Sequence, residues 1–321
     1  MEATRTAESV SAGHADKIAD QISDAILDAV LAQDREAKVA VETLAGHKQV
    51  VVMGEVRAHA SVDYKKITQE LLKEFGYFDY LVSTNIVQQS PEIAAHVEEG
   101  GAGDQGIMVG YACDETKEML PLEFALARRL TRAMGLVDGK SQVTIKGKDI
   151  IRLVTSVGAE YPAELTQELA AMGVHDGDPR WIRNQYETAG LDSDTGLTGR
   201  KIVVDAYGPR VPVGGGSFSG KDPSKVDRSA AYMARKVAVD LQKKFTAHEV
   251  IVKLAYSIGM RKEIMATADV IHEDGRYEHI AHVDEYDFSP ASIIESLNLR
   301  LPQYLKTARY GHFGNGYVWD N

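Results

Sequence analysis

Residues 39–75 read as two strands and a helix, VAVETL (39–44), VVVMGEV (50–56) and YKKITQELLKEF (64–75). Valines favour extended backbone, whereas Ile67, Leu71 and Phe75 recur at helical spacing. The same order of two strands and a helix recurs twice, at 142–145, 150–157 and 162–172, and at 250–258, 264–271 and 290–299. Three such units predict an α+β fold with an internal structural repeat, although the amino-acid sequences of the units do not match well.

Three further helices are predicted, one before the first unit and two between units. The clearest one spans 15–32, where Ile18, Ile22, Ile26 and Val30 fall four apart and form an apolar stripe. The others cover 122–134 and 226–241. Because the sequence contains no low-complexity linker, we expect the units to pack into one body.

Composition limits the class of protein. The chain has 321 residues, 44% of them hydrophobic, which is enough for a substantial core. Its net charge of −11 argues against general binding to nucleic acids or acidic membranes. The single cysteine, Cys113, excludes an internal disulfide and a cysteine-based metal cluster. Because no apolar signal core or membrane-spanning run appears, we expect a cytoplasmic location.

The segment VGGGSFSGKDPSKVDR (213–228), here called the glycine-rich segment, has two interpretations. Its glycines would let backbone amides approach an anion, and Lys221 and Lys225 lie next to a predicted helix start. This favours a phosphate-binding loop, although Asp222 after Lys221 rules out a Walker A motif. The alternative is a flexible surface loop, and the segment alone does not decide between them.

The stretch ESVSAGHADK (8–17) places His14 and Asp16 at the entry to the first helix. An acid at a helix start is often only a cap, and an isolated histidine is usually structural. Alternatively, Asp16 is an oxygen ligand for Mg²⁺, which takes one or two carboxylates and completes its shell with phosphate and water. Asp227 is the natural second ligand.

Five basic residues stand in glycine-containing or turn-like contexts: Lys140, Arg200, Lys201, Lys221 and Lys225. If they converge on one cleft, they form a site for an oligophosphate. Separately, each is more typical of a solvated surface. Glu42 and Glu55 lie in strands, where an acid that faces solvent is the ordinary explanation, and Tyr186 in a turn is more often a packing residue than a base-stacking one.

Taken together, the motifs resemble those of S-adenosylmethionine synthetases, also called methionine adenosyltransferases. The matching motifs run from residue 8 to 314 in the order of that family. They are ESVSAGHADK (8–17), QSPEI (89–93), GAGDQG (101–106), DGKSQ (138–142), GLTGRK (196–201), the glycine-rich segment and YGHFG (310–314).

The resemblance implies a three-domain α+β fold in which strand-strand-helix domains are related by pseudo-threefold symmetry. The expected domains are N-terminal (1–92), central and shortened (103–190), and C-terminal (191–321), with a mobile active-site loop at 93–102. It also implies a homodimer with shared active sites, leaves open whether two dimers pair into a tetramer, and implies neither a nucleic-acid nor a membrane partner.

The reaction implied by the resemblance joins ATP and L-methionine. The methionine sulfur attacks C5′ of the ribose, the triphosphate leaves, and it is hydrolysed to pyrophosphate and phosphate. This chemistry requires no enzyme nucleophile. It requires positioning and positive charge around the leaving group.

The resemblance also assigns roles to individual residues. The catalytic residues would be His14, Lys140, Arg200 and Lys221. ATP and its phosphates would contact His14, Asp138, Lys140, Tyr186, Asp194, Arg200, Lys201, Ser217 and Lys221. Methionine would contact Glu55, Gln89, Asp104, Asp194 and Lys225. Asp16 and Asp227 would bind Mg²⁺, two ions per site, and Glu42 with Ser219 would bind K⁺.

Some positions depart from the family pattern. The chain is short: the loop between Gln89 and Asp104 and the segment between Gln142 and Asp194 are contracted, and little follows residue 314. Ala15 replaces a proline at the helix start, and Tyr186 stands where the family has an adenine-stacking phenylalanine. These departures leave two alternatives open, a catalytically weak regulatory paralogue and a synthase with altered thioether or nucleotide specificity.

Overall fold

A computed structural model describes residues 3–88, 101–158 and 160–321. Within these ranges the chain forms three four-stranded sheets and eight α-helices. Two 3₁₀ turns lie at Gly190–Asp192 and Val318–Asp320. The α+β class that the sequence predicted is confirmed.

The strands are β1 (Thr4–Val10), β2 (Lys38–Gly46), β3 (Gln49–Arg57), β4 (Leu81–Val87), β5 (Gly106–Cys113), β6 (Gly139–Lys146), β7 (Asp149–Val157), β8 (Trp181–Gln185), β9 (Gly196–Leu197), β10 (Glu249–Tyr256), β11 (Met265–Ile271) and β12 (Tyr277–Ile280). The helices are α1 (Ala15–Leu31), α2 (Tyr64–Glu74), α3 (Leu122–Ala133), α4 (Ala163–Ala171), α5 (Ile202–Asp205), α6 (Val226–Phe245), α7 (Pro290–Ser296) and α8 (Tyr304–Tyr310).

The three sheets share one plan. Their strand orders are β9-β2-β3-β4, β1-β6-β7-β8 and β5-β10-β11-β12. In each sheet a central antiparallel hairpin is joined on one side by an antiparallel strand from another part of the chain. The predicted strand-strand-helix repeat is therefore present three times, since α2, α4 and α7 follow the three hairpins.

The third repeat differs from the first two in its fourth strand. Helices α2 and α4 carry the chain over to parallel strands β4 and β8, because a parallel neighbour needs a crossover connection. Between β11 and β12 the connection is a short turn, so β12 is antiparallel and α7 comes after it. The pseudo-threefold symmetry is thus imperfect at this edge.

Three long helices cover the inner faces of the sheets. Helix α1 packs on β2, α3 on β1 and β6, and α6 on β5 and β10. The apolar stripe of α1 is fully buried, as its spacing predicted. One hydrophobic core is shared by the sheets that contain β2 and β10, whereas β6, β7, α3 and α4 surround a smaller core of their own.

A buried ion pair joins α1 to α6. The Arg228 guanidinium donates to both carboxylate oxygens of Asp24 at 2.7 and 2.9 Å, and neither side chain is exposed. The guanidinium also stacks over the Tyr304 ring at 4.4 Å. These contacts fix the glycine-rich segment, which runs into α6, against the first helix.

Cys113 is buried as a free thiol. No helix in the described part of the chain combines the length and apolar character needed to cross a membrane.

Candidate active site

His14 lies where the chain leaves β1 and enters α1. Val10 pairs with Lys140 on β6, and the Ser11 N–H donates to the Gly139 carbonyl at 2.9 Å, so sheet pairing fixes the start of this loop. The side chain of His14 is the N-cap, and its Nδ1 accepts from the Asp16 N–H at 3.2 Å.

The protonation state of His14 follows from this geometry. Burial, and then the charges of Lys201 and Lys140, lower the pKa of His14 to about 4. The ring is therefore neutral near pH 7. Because Nδ1 accepts a hydrogen bond, the proton resides on Nε2, and His14 is able to donate one hydrogen bond from that atom.

Asp16 is fully buried at the first turn of α1. One carboxylate oxygen accepts from the Leu197 N–H at 2.9 Å, and the other accepts from the Lys201 ammonium. Arg200 Nε lies 3.5 Å from the first oxygen. Burial acts to raise the pKa of Asp16, but the hydrogen bonds from Lys201 and Leu197 outweigh it and hold the pKa below its usual value. Asp16 is consequently ionised at neutral pH.

Asp138, Lys140 and Asp194 complete this first cluster. Asp138 immediately precedes β6 and accepts from the Gly190 N–H at 2.7 Å, and burial raises its pKa. The charges of Lys140 and Asp194 act on both His14 and Asp138. The predicted residues His14, Asp16, Asp138, Lys140, Asp194, Arg200 and Lys201 thus come together at one end of the β1-β6-β7-β8 sheet.

A second cluster surrounds Asp227 in the first turn of α6. Lys221 donates to the Asp227 carboxylate, and Asp104 lies close enough to add to the rise in the pKa of Asp227 that burial causes first. Gly216 packs directly on this carboxylate, where a Cβ atom would lie 2.6 Å from its carboxyl carbon. The glycine-rich segment therefore folds over the acid, as a loop with a side chain at this position would not.

The two clusters meet where Gly199 approaches Ser217. A Cβ on Gly199, whose φ is +81°, would lie 2.7 Å from the Cβ of Ser217. Ser217 belongs to the glycine-rich segment, and Gly199 directly precedes Arg200 and Lys201. The basic residues of both segments thus lie on either side of one contact.

The C-terminal half of the glycine-rich segment is fixed in place. Gly220 N–H donates to Asp24 at 2.8 Å, and Lys221 forms a β-bridge with Ala40 of β2. Lys225 pairs with Asp222, a buried acid that also accepts from the Val39 N–H at 2.7 Å. These contacts contradict the flexible-loop alternative for this half, whereas Gly214 and Gly215 in the first half are exposed. They also separate the lysines, because Lys221 lies at the Asp227 cluster and Lys225 at Asp222.

Four aspartates on α1 hold the segments that carry these charges. They recur every fourth residue and are called here the aspartate row: Asp16, Asp20, Asp24 and Asp28. Asp16 accepts from the Leu197 N–H, Asp20 from the Gly199 N–H at 2.8 Å, and Asp24 from the Gly220 N–H. Asp28 accepts from backbone N–H groups of α8. One helix face therefore positions both basic segments.

Glu42 and Ser219 are neighbours in the extended register of the sheet. Val41 N–H donates to the Gly220 carbonyl at 3.0 Å, and continuing the antiparallel bridge between Ala40 and Lys221 places Glu42 beside Ser219. The Ser219 hydroxyl is buried and has no hydrogen-bond partner within the described ranges. Glu42 is exposed whereas this hydroxyl is buried, so only the strand register relates the two residues.

The remaining predicted residues lie farther from these contacts or outside the described ranges. Glu55 lies half-buried on β3, opposite Ala40. Tyr186 follows β8 at the same end of the sheet as Asp138, its ring is 54% exposed, and its N–H donates to the Val157 carbonyl at 3.0 Å. Gln89 and residues 93–100 of the predicted loop lie outside the described residues.

The carboxylates of the two clusters match the ligand needs of Mg²⁺. Each cluster offers buried oxygen donors, and among residues 3–88, 101–158 and 160–321 no group of three or more His, Cys, Asp and Glu side chains forms a closed metal cage. Mg²⁺ commonly takes one or two carboxylates and substrate phosphates for the rest of its shell. Asp16 and Asp227 fit that pattern, with a paired lysine beside each.

Comparison with known proteins identifies the family. Models described as the N-terminal, central and C-terminal domains of S-adenosylmethionine synthetase match residues 2–100, 99–162 and 188–321. The chain belongs to the S-adenosylmethionine synthetase family. The predicted resemblance, three-domain fold and enzyme class, methionine adenosyltransferase, are thereby confirmed.

Proteins named S-adenosylmethionine synthase resemble the chain along nearly all of its length. Those from Sulfurovum sp. (strain NBC37-1) and Kosmotoga olearia are 39% and 42% identical, over 98% and 96% of this chain and 95% and 93% of their own. One from Thermus thermophilus is 40% identical over 98% of this chain and 95% of its own. Each alignment spans more positions than the 321 residues here, so these relatives carry segments that this synthetase family member lacks.

The family matches leave one segment of the chain uncovered. Residues 163–187 fall between the central and C-terminal matches, and they contain α4, β8 and Tyr186. The predicted domain bounds and the individual residue roles are not decided by the family matches, and they stay predictions.

The sequence-based prediction overlooked Asp20 and its partners. Asp20 accepts from Lys17 at 2.9 Å as well as from Gly199, and Lys17 donates to Asp205 at 2.6 Å. The recurrence of aspartate at every fourth position beside the apolar stripe was the available signal. It marks a second buried face of α1.

Proposed function

We propose that the chain makes S-adenosylmethionine from ATP, L-methionine and water and releases pyrophosphate and phosphate. The sulfur lone pair forms the S–C5′ bond while the C5′–O bond breaks, and its electron pair leaves with the triphosphate. Water then hydrolyses the triphosphate. The general activity follows from the family, and the two-step course is our proposal.

The observation that carries the proposal is the convergence of basic residues around His14 and Asp16. Lys140, Arg200 and Lys201 surround the entry to α1, and Lys221 lies across the contact between Gly199 and Ser217. Four positive groups in an acidic protein suit a ligand with several phosphates. Stabilising a leaving group in this way is an electrostatic task, for which fixed charges are effective.

His14 is proposed to act on the oxygen that leaves C5′. Its neutral ring has a proton on Nε2 and would donate a hydrogen bond to this oxygen as negative charge develops there. Because the pKa of His14 is about 4, the role is hydrogen bonding and does not require a charged imidazolium. The cap interaction of Nδ1 keeps the ring in this tautomer.

Asp16 and Asp227 are the proposed Mg²⁺ ligands, and Glu42 with Ser219 the proposed K⁺ ligands. When bound, Mg²⁺ neutralises phosphate charge and stabilises the departing triphosphate. Lys201 and Lys221, which pair with these acids here, would contact phosphate oxygens when substrate binds. Ionisation of Asp16 supports its assignment as a cation ligand.

The organic parts of the substrates have proposed partners as well. Asp138 would contact the ribose, Asp194 both substrates, Ser217 the phosphates and Tyr186 the adenine ring. The position of Tyr186 at the same end of the sheet as Asp138 supports its proposed contact with adenine. Glu55, Gln89, Asp104, Asp194 and Lys225 would contact methionine, and residues 93–102 would form the active-site loop.

We propose a homodimer with active sites shared between subunits. The outer face of the β9-β2-β3-β4 sheet exposes Leu44, Met53 and Leu81 by 46%, 50% and 62%, more than a face in water favours. Glu42 lies opposite Met53, and Glu55 shares that face by strand alternation. A partner on this face would therefore border the residues proposed to bind K⁺ and methionine.

A cytoplasmic location also stays a prediction.

Incubation of the purified chain with ATP, methionine, Mg²⁺ and K⁺ tests the reaction. We expect S-adenosylmethionine, phosphate and pyrophosphate in equal amounts by mass spectrometry and phosphate assay. Lys221→Ala should lower kcat by about 100- to 1,000-fold because it removes one charge from the leaving group. Lys236→Ala on α6, the helix that follows the glycine-rich segment, is the matched control; its partner is Asp240, and the variant should keep normal activity. Wild-type turnover in Lys221→Ala would contradict the proposal.

Altered nucleotide specificity is the second candidate, because Tyr186 lies in the segment outside the family matches. A panel of ATP, GTP, ITP and CTP decides between the candidates. Preference for a nucleotide other than ATP, abolished in Tyr186→Ala, would favour this candidate. A uniformly weak rate with every nucleotide would favour the regulatory paralogue.

A further inference from the structure

A cavity of about 240 Å³ lies behind the entry to α1. It is lined by the end of β1, by α3, by α5 and by the C-terminal end of α8, and it contains none of the residues assigned to the proposed substrate site. Tyr310 and Gly311, the start of the YGHFG motif, form part of its wall. The proposed function leaves both this motif and this cavity unexplained.

The charge of the cavity wall is strongly positive. Four basic side chains line it, Lys17, Arg128, Arg132 and Arg309, against one acid, Asp205. Lys17 pairs with Asp205 at 2.6 Å, and Arg309 pairs at 2.8 Å with Glu74, which lies outside the wall. Within the described part of the chain Arg128 and Arg132 make no ion pair, and of the two only the Arg128 side chain is buried, whereas Arg132 is exposed to solvent.

The partners of these two arginines are neutral. Arg128 donates to the Phe313 carbonyl at 2.5 Å and to the Gly314 carbonyl at 3.3 Å, and Arg132 donates to the Tyr310 carbonyl at 2.8 Å. Arg128 is buried, and burial together with the charge of Arg132 lowers its pKa, while the charges of Asp320 and Glu118 oppose this shift only in part. A buried charge of this kind is costly unless an anion compensates it.

The remainder of the wall is largely apolar. Val10, Leu136, Val204 and Ala308 contribute aliphatic surface beside the two arginines. A guanidinium suits the geometry of a carboxylate or phosphate, and aliphatic surface favours a hydrocarbon body. We propose that this cavity binds a small amphipathic oxyanion, a carboxylate or phosphate monoester on a compact apolar body.

The cavity connects to the proposed phosphate-binding residues through three side chains. Lys17 in its wall donates to Asp205 and to Asp20, and Asp20 holds the Gly199 N–H at 2.8 Å. An anion in the cavity competes for Lys17 and thereby loosens the support of Arg200 and Lys201. The bound anion thus acts as an effector that weakens ATP binding, a step that rests on the proposed function.

Binding to the full chain is measured directly, without substrates, by isothermal titration calorimetry and ligand-observed NMR. The probes are benzoate, hexanoate and phenyl phosphate, and the controls are benzyl alcohol, which lacks the charge, and inorganic phosphate, which lacks the apolar body. We expect saturable binding of the amphipathic anions and much weaker binding of both controls. The relative affinities of benzoate and phenyl phosphate distinguish carboxylate from phosphate ligands.

Variants on α3 locate the site. Arg132→Glu should weaken the anion probes by about tenfold or more, since it reverses one charge of the wall. Arg132→Gln gives a smaller change in the same direction and serves if the first variant folds poorly. Arg129→Gln is the matched control: Arg129 is exposed on the same helix, pairs with Glu168 and does not line the cavity.

The outcomes separate the site from its effect. Absence of saturable binding by all three anions, or equal binding by wild type and Arg132→Glu, would overturn the site. If benzoate binds but leaves the affinity for ATP unchanged, the effector step is wrong and the site stands. Because binding is measured without turnover, a chain that makes no S-adenosylmethionine still yields a decisive binding result.

Discussion

Helix α1 has two buried faces that do different work. The apolar stripe of Ile18, Ile22, Ile26 and Val30 packs into the shared core. Each member of the aspartate row lies two residues before a member of the stripe. The carboxylates of the row accept hydrogen bonds from backbone N–H groups of segments that lie far along the chain. On the first face, apolar side chains of similar volume can replace one another, because packing depends mainly on volume. The second face depends on the position of each oxygen, because it sets where the basic residues stand.

The largest expected effect comes from breaking the centre of the aspartate row. Asp24→Ala would leave Arg228 buried without its charge partner and free the Gly220 N–H. We expect a loss of about 3–5 kcal/mol in the free energy of unfolding, measured by denaturant titration. Replacing both partners, Asp24→Leu with Arg228→Met, should recover part of the loss. A single variant as stable as wild type would show that the row does not bear on the fold.

A smaller effect, on activity, is expected at Asp20. Asp20→Asn places an amide between Lys17 and Gly199, where it cannot satisfy both donors, so the support of Arg200 and Lys201 weakens. We expect kcat/KM for ATP to fall by about 10- to 100-fold, a loss of roughly 1.4–2.7 kcal/mol in transition-state stabilisation.

The matched control for Asp20 is Asp28→Asn, in the same row. Asp28 caps α8 and touches neither basic segment, so this variant should lower stability and leave kcat/KM for ATP unchanged. Asp20 acts by positioning, and the KM for methionine should therefore change less than the KM for ATP. Equal losses for both substrates and both variants would indicate a general structural defect.

On the apolar face the change is milder and of another kind. Ile22→Val removes one methyl group from a fully buried side chain, and we expect a loss of about 0.5–1.5 kcal/mol in the free energy of unfolding. Activity per folded molecule should stay the same. If Ile22→Val reduced kcat as strongly as Asp20→Asn, the assignment of stability to the apolar face and of positioning to the aspartate row would be wrong.

The sequence predicted the first face of α1 and not the second for a physical reason. An apolar stripe needs only its own spacing to be recognised, whereas an aspartate on a helix is usually solvated. The partners of Asp20 and Asp24, Gly199 and Gly220, lie more than 170 residues away, and only the tertiary fold brings them together.

The same contrast holds for the sheets and the basic residues. The three strand-strand-helix units were predictable from period and composition, but the antiparallel placement of β12 depends on a short turn that the repeat pattern did not distinguish. Lys221 and Lys225 look alike in sequence. They differ in the fold because Asp222 accepts from Lys225 and Asp227 from Lys221.

The smallest expected effect is a pH dependence that stays unchanged. Since burial lowers the pKa of His14 to about 4, its ring remains neutral from about pH 5.5 to 8. The ratio of kcat for wild type to kcat for His14→Asn should therefore be constant over this range. A ratio that changes around pH 6.5 would mean that an imidazolium acts in the reaction.

The free energy of unfolding should depend on pH below this range. Because the pKa of His14 is lower in the folded state, the unfolded chain binds the proton first as the pH falls. The contribution of His14 to stability is therefore present above about pH 6.5 and is lost as the pH falls towards 4. Denaturant titrations of wild type and His14→Asn between pH 4 and 7 measure this loss, which should be absent in His14→Asn.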